Sequence, residues 1–143
     1  MAATFRQTRL RRLGNMLVVP AARLGLAGKR MHVLTVVGRK SGRRYSTPVQ
    51  LVFKEGQRWL VAPYGVRPWV HNARAAGRVE LTRALRTERV RIEEVDAQTA
   101  APILLEYLRK TPITKPYFDA KVDSPLDEFA AEASRHPVFR LLA

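Results

Sequence analysis

Residues 31–62 read MHVLTVVGRKSGRRYSTPVQLVFKEGQRWLVA, and the period of that stretch decides the fold. Met31–Gly38 is rich in β-branched residues and reads as a strand, and Gly38–Gly42 (GRKSG) is a glycine-bracketed turn. Tyr45–Lys54 is a second strand, closed by the hairpin signal Glu55-Gly56-Gln57, and Arg58–Ala62 is a third. Pro63-Tyr64-Gly65 breaks the pattern. Pro68 then precedes a short helix over Trp69–Ala76 that Gly77 stops. Arg78–Leu85 and Glu88–Val95 alternate apolar with charged residues, as half-buried antiparallel strands do. Asp96 caps a helix over Ala97–Lys110 with Ala101, Leu104, Leu105 and Leu108 inward. Thr111–Ser124 holds two prolines and reads as a loop; Ser124-Pro125 opens a short helix to about Ser134, and Pro137–Leu142 is a closing strand. Five or six short strands joined by hairpins, with few helices, predict an α+β antiparallel barrel. A βαβ alternation and a GxGxxG run are both absent, which argues against a dinucleotide fold.

At 143 residues, 46% apolar and 27% charged, the chain suits one domain. Residues 31–143 form the expected barrel, and residues 1–30 a basic helical segment. Within the latter, residues 1–17 place Phe5, Leu10, Leu13, Met16 and Leu17 on a stripe among Arg6, Arg9, Arg11 and Arg12. That segment has no long apolar run and no Ala-x-Ala site, so it reads as a cytoplasmic protein's terminal helix. Such a helix can pack on its own domain or lie on an anionic membrane surface. With no cysteine, thiolate chemistry is excluded, and three scattered histidines (His32, His71, His136) predict no metal site.

Lys and Arg outnumber Asp and Glu by 26 to 12, a net +14. Residues 1–71 hold 14 of the bases and one acid, Glu55, whereas residues 72–143 hold 12 bases and 11 acids. So one-sided a field attracts an anionic partner. With 20 Arg to 6 Lys, forked recognition of phosphate or carboxylate is favoured, although a GC-rich genome also raises that ratio. Nucleic acid is the poorest candidate, because the aromatics are not interleaved with the basic run.

The densest feature is the turn itself. Its glycines permit consecutive N–H groups to converge on an anion, Ser41 adds a hydroxyl, and Arg39, Lys40, Arg43 and Arg44 add charge. A solvated hairpin tip fits the same residues. Trp69 and Asn72, three apart, share a helical face that could wall a planar ligand or belong to the core; His71 lies off that face and reads as a surface residue. Tyr117-Phe118 could cover a pocket or anchor their loop. No acid precedes Glu55 and no nucleophile elbow occurs, so the chain is not equipped for hydrolysis, and redox activity would need a cofactor.

The run Leu34-Thr35-Val36-Val37-Gly38-Arg39-Lys40-Ser41-Gly42, then Thr47-Pro48, Val61-Ala62 and Trp69-x-x-Asn72 with Arg74-Ala75, resembles the deazaflavin-dependent nitroreductase family. Its members are actinobacterial split β-barrel proteins, FMN-binding-like in fold, that use coenzyme F420. The likeness spans Met31 to Glu94, with an echo in His136-Pro137-Val138-Phe139. It implies that Arg39, Lys40 and Ser41, with Arg43 or Arg44, hold the coenzyme's phosphate and acidic tail. It also implies that Thr47, Pro48, Val49 and Gln50 run along the deazaflavin ring, and that Ala62, Pro63, Tyr64, Gly65, Trp69 and Asn72 close the groove. Three features depart from the family: Tyr45 stands where Arg is common, Pro63–Pro68 is short and lacks Ser-Lys, and Tyr117-Phe118 replaces a tyrosine pair.

The expected reaction is hydride transfer from the reduced deazaflavin to an electron-poor acceptor such as a quinone, enone or nitroaromatic. Tyr117, Gln50 and Tyr64 are the candidate catalytic side chains. The competing readings are an FMN- or haem-using split-barrel relative, and a non-enzymatic carrier of an acidic or fatty ligand associated with the membrane through residues 1–17. Either a monomer or a homodimer is compatible with a barrel edge.

Overall fold

The strand expected over Tyr45–Lys54 bends at Leu51, and that bend closes the sheet. A computed structural model describes residues 28–142. It holds β1 (Met31–Val37), β2 (Arg44–Gln50), β3 (Val52–Lys54), β4 (Gln57–Val61), β5 (Arg78–Arg83), β6 (Arg86–Glu94) and β7 (Val138–Leu142). These make one antiparallel sheet in the order β2-β1-β5-β6-β7-β4-β3. β2 and β3 are neighbours in the chain yet occupy opposite edges, so the sheet curls until its edges meet at Leu51. This is the split antiparallel barrel of an α+β protein. Leu51 is 0% exposed, and its backbone exchanges two bonds with Arg30: Leu51 N donates to Arg30 O, and Arg30 Nε to Leu51 O, each at 2.9 Å. The other end of the Arg30 guanidinium reaches Lys110 O and Thr111 Oγ1.

Alternation along the strands builds two cores. Leu34, Val36, Leu60, Leu81, Val90 and Phe139 fill the barrel, joined by Val70 and Ala73 from α1 (Pro68–Ala76). Val52, Trp59, Val61 and Val138 face outward, beneath Ile103, Leu104 and Leu108 of α2 (Ala97–Lys110) and Phe129 of α3 (Leu126–Ala131). Of the four α2 residues expected inward, Ala101, Leu104 and Leu108 are buried and Leu105 is half-buried. Asp96 caps α2 as expected, accepting from Thr99 N at 2.8 Å. Among the described residues, no helix is long and apolar enough to cross a membrane. The readings made for residues 1–17, and for all but the last few residues of the 1–30 segment, lie outside the described residues.

Three boundaries differ from expectation. Thr111–Ser124 is not all loop, because Pro112–Tyr117 forms a 3-10 helix with Pro112 at its start. The last helix is shorter than expected and is followed by a separate 3-10 turn, Ala133–Arg135. The β5–β6 turn is Ala84-Leu85, both at positive φ (52° and 62°), two residues before the expected end of one strand and start of the next. Neither residue is a Gly or Asn, so the usual signal for that turn is missing.

Because Leu51 seals the corner on which closure depends, Leu51→Ala should cost about 2–5 kcal/mol. Urea unfolding measures this. A loss below about 1 kcal/mol would mean that the corner relaxes freely and closure rests elsewhere.

Candidate active site

The turn after β1 is built by its own backbone. Gly38 N donates to Arg43 O (2.7 Å) and Gly42 N to Gly38 O (2.9 Å), with Gly42 at φ +71°. A Cβ on Gly38 would lie 2.7 Å from both Ser41 Oγ and the Tyr45 ring, so a larger residue there would push both side chains aside. Ser41 Oγ accepts from Arg43 N at 3.1 Å and sits 3.2 Å from Tyr45 Oη. Asn72 of α1, only 5% exposed, takes two bonds from Arg39 on its Oδ1: one from the backbone N (3.1 Å) and one from Nη1 (2.7 Å). The helix that carries Asn72 starts at Pro68 without a side-chain cap and ends where Gly77 N donates to Ala73 O.

Fewer backbone N–H groups are free in this turn than its glycines suggest. The N–H groups of Gly38, Arg39, Gly42 and Arg43 are spent inside the protein, which leaves those of Lys40 and Ser41 at the tip. The turn's positive charge is therefore carried by exposed side chains more than by free backbone donors. Arg39, Lys40 and Arg43 are exposed, and among the described residues no carboxylate pairs with them. Arg44 differs: its guanidinium pairs with Glu80 across β1, holding that carboxyl below the usual carboxylate range. The turn thus offers three unpaired cations, clamped by a buried amide.

β2 runs from the turn as an edge strand, so one row of its backbone groups is unused by the ladder. By register, Thr47 and Val49 share the face of Leu34 and His32, while Pro48 and Gln50 take the other. Gln50 stands at the end of β2 remote from the turn. Val49 and Trp69 both pack on the barrel core, and Trp69 lies 6.3 Å from Phe139 at a tilt. His71 is exposed, as read.

The loop after β4 carries the other candidates. Ala62 N donates to Pro137 O at 2.9 Å, and Gly65 (φ +91°) lies against Arg135 O, so the loop is held on the segment preceding β7. Tyr64 then meets Tyr117 edge to face, with centroids 4.9 Å apart at 82°. Phe118 turns away from Tyr117 and stacks on His136 at 4.0 Å, anchoring the loop.

Beneath this loop lies a group that sequence reasoning missed. Glu132, 2% exposed, accepts from Asp119 N (3.2 Å), Ala120 N (2.7 Å) and His136 Nε2 (3.0 Å), and the Pro63 backbone also lies near the imidazole. It joins the Tyr117 segment to the Pro63–Gly65 segment from below. The Glu-x-x-x-His spacing was its only signal.

A matching family model describes F420H(2)-dependent quinone reductases and covers residues 10–125. No curated protein matches the chain. Among solved structures, an F420-H2 dependent reductase (FDR-A) is 18% identical with a TM-score of 0.53, over 79% of this chain and 94% of that one. A heme binding protein from Mycobacterium smegmatis is 14% identical (TM-score 0.53), over 96% of this chain and 52% of that one. A Listeria innocua protein named for pyridoxamine 5'-phosphate oxidase is 12% identical (TM-score 0.52), over 89% and 88%. At such identities these structures establish the shared split-barrel fold.

Burial holds both His32 and His136 below the ordinary histidine value of 6.5, in His136 despite the opposing pull of Glu132. Each histidine therefore binds its proton less readily in the folded chain than in the unfolded one. Stability is full above 6.5 and declines as pH falls through it toward the lower folded values. Denaturant midpoints should thus drop from neutral pH to about pH 5, and His136→Gln should flatten that drop. Midpoints that stay level or rise on acidification would contradict this burial.

With the site's geometry and the match over residues 10–125 taken together, the chain belongs to the F420H(2)-dependent quinone reductase family and is an F420-dependent reductase.

Proposed function

We propose that the physiological acceptor is a quinone, reduced in a groove between the β2 edge and the Tyr64–Tyr117 pair. What supports the reading most is the trio Arg39, Lys40 and Arg43, unpaired by any described carboxylate and tethered through buried Asn72 at the head of an open strand edge. The residues present suit the coenzyme. Its phosphodiester and carboxylates match three exposed cations that no described carboxylate neutralises. When bound, the reduced coenzyme supplies a hydride from carbon 5 of its ring.

The chain's own residues then do the remaining work. Arg39, Lys40 and Arg43 bind the anionic tail, each charge-assisted bond being stronger than a neutral one. The unused backbone row of Thr47–Gln50 offers N–H and C=O groups at fixed spacing to a flat ring edge. Val49 and Trp69 keep water from the ring's inner side. A tyrosine hydroxyl of the Tyr64–Tyr117 pair donates to the quinone oxygen as negative charge develops there. Hydride addition yields the hydroquinone anion, which takes a proton from solvent water to complete the reduction. Tyr117, held in the more buried position, is the donor assigned here, and Tyr64 orients it by edge contact.

Arg39→Ala/Lys40→Ala should weaken coenzyme binding about tenfold or more, most at low salt, read by fluorescence titration. Tyr117→Phe should leave that affinity unchanged while lowering kcat with a soluble quinone about tenfold or more. Unchanged coenzyme affinity in the double variant would reject the tail site, and unchanged kcat in the tyrosine variant would reject the donor.

A further inference from the structure

At the opposite end of the barrel from the GRKSG turn lies a cavity of about 530 Å³ lined by His32, Leu81, Arg83, Arg86, Thr87 and Glu88. The strand register explains its chemistry. Val33 pairs with Thr82 on β5, which puts His32 level with Arg83, and Arg83 pairs with Arg86 on β6. His32, Arg83 and Arg86 thus form one row across three strands. Parity places that row on the face of Leu34 and Leu81, the barrel interior. His32 begins β1 and the turn follows its end, so six residues of extended chain, about 20 Å, separate the two sites.

The charge in this mouth is not balanced. Glu88, the acid on its wall, is already paired with the Arg58 guanidinium. Arg83 uses Nε on Gly28 O at 3.0 Å, leaving its terminal nitrogens, and Arg86 has no carboxylate partner among the described residues. Two arginines directly opposite in a ladder repel each other. The Ala84-Leu85 turn, with both residues at positive φ, fixes them there as the closing pair. His32 adds a different capacity. It is 8% exposed, and its Nδ1 lies 3.1 Å from Arg30 O, so Nδ1 carries the hydrogen and Nε2 is an acceptor.

We propose that this mouth is a second binding site, specific for a phosphate monoester, with Arg83 and Arg86 gripping its oxygens and His32 accepting from its P–OH. Two forked donors beside one acceptor match a phosphate monoester, whose second pKa of about 6 leaves a fraction with a P–OH close to neutral pH, better than a carboxylate, which is ionised there and has no hydrogen to give. The volume exceeds that of the phosphate, so the remainder holds the organic body over Leu81. The monoester could belong to a soluble metabolite or to a lipid headgroup. This site is independent of the coenzyme reading.

The full chain is titrated calorimetrically with sn-glycerol 3-phosphate, and by sedimentation with phosphatidylcholine vesicles carrying phosphatidic acid. At least one probe should bind. Arg83→Gln/Arg86→Gln should weaken that binding about tenfold or more. Arg89→Gln/Arg91→Gln, which removes equal charge from the same hairpin, and Arg39→Ala/Lys40→Ala should not. Arg86→Gln alone, at an exposed position, serves if the double variant does not fold. Binding of the soluble probe assigns a metabolite, and binding of the vesicles alone assigns a headgroup. Equal weakening in the Arg89/Arg91 variant, loss only in the Arg39/Lys40 variant, or no binding of either probe at millimolar concentration would overturn the proposal.

Discussion

The proposed coenzyme site depends on one buried carboxamide. Asn72 accepts both the backbone N–H and the guanidinium of Arg39 on a single oxygen, joining α1 to the turn between β1 and β2. A bond to a charged donor is worth about 1.5–3 kcal/mol, and a buried acceptor left unmet costs a similar amount. One such bond from the guanidinium and a neutral one from the backbone N–H therefore fix where the turn sits and where its first cation points. Without them, a loop carrying three unpaired positive charges would have reason to swing outward. Pro68 and Gly77 matter because they set the start and stop of the helix that presents Asn72.

The barrel makes the two ends of the molecule different. Its interior is apolar along the middle rows, where Leu34, Leu81 and Leu60 meet. Cations gather at the rims. At one rim they stand on the turn, beside an open strand edge. At the other they face inward from β5 and β6 over a cavity. Several other arginines are paired with acids of the second half: Arg44 with Glu80, Arg74 with Glu94, Arg140 with Glu93 and Arg135 with Asp119. The half-and-half charge asymmetry of the sequence is thus partly cancelled across the sheet.

Much of this was legible from residue order. Alternation placed the strands of the barrel, glycines bracketed the turn, and Trp69-x-x-Asn72 marked the helix that faces it. Contacts between segments distant in the chain were not legible. Nothing local says that Leu51 should bend a strand, because the bend is imposed by closure. Nothing in Ala84-Leu85 announces a tight hairpin, since register from both flanking strands overrides turn preference. The Tyr64–Tyr117 contact depends on Glu132 and His136, which pull two loops together from beneath. The backbone of the turn has fewer free donors than expected for a related reason: glycine spacing shows that N–H groups can converge, but not that Asn72 and Ser41 have already taken those of Arg39 and Arg43.

The most direct measurement is coenzyme F420 affinity in Asn72→Ala, compared with wild type at low salt alongside a thermal melt. The account expects binding weakened about tenfold while the melt stays cooperative and the barrel folded. Undiminished affinity in a folded Asn72→Ala protein would contradict it, because the cations would then need no tether to find the ligand.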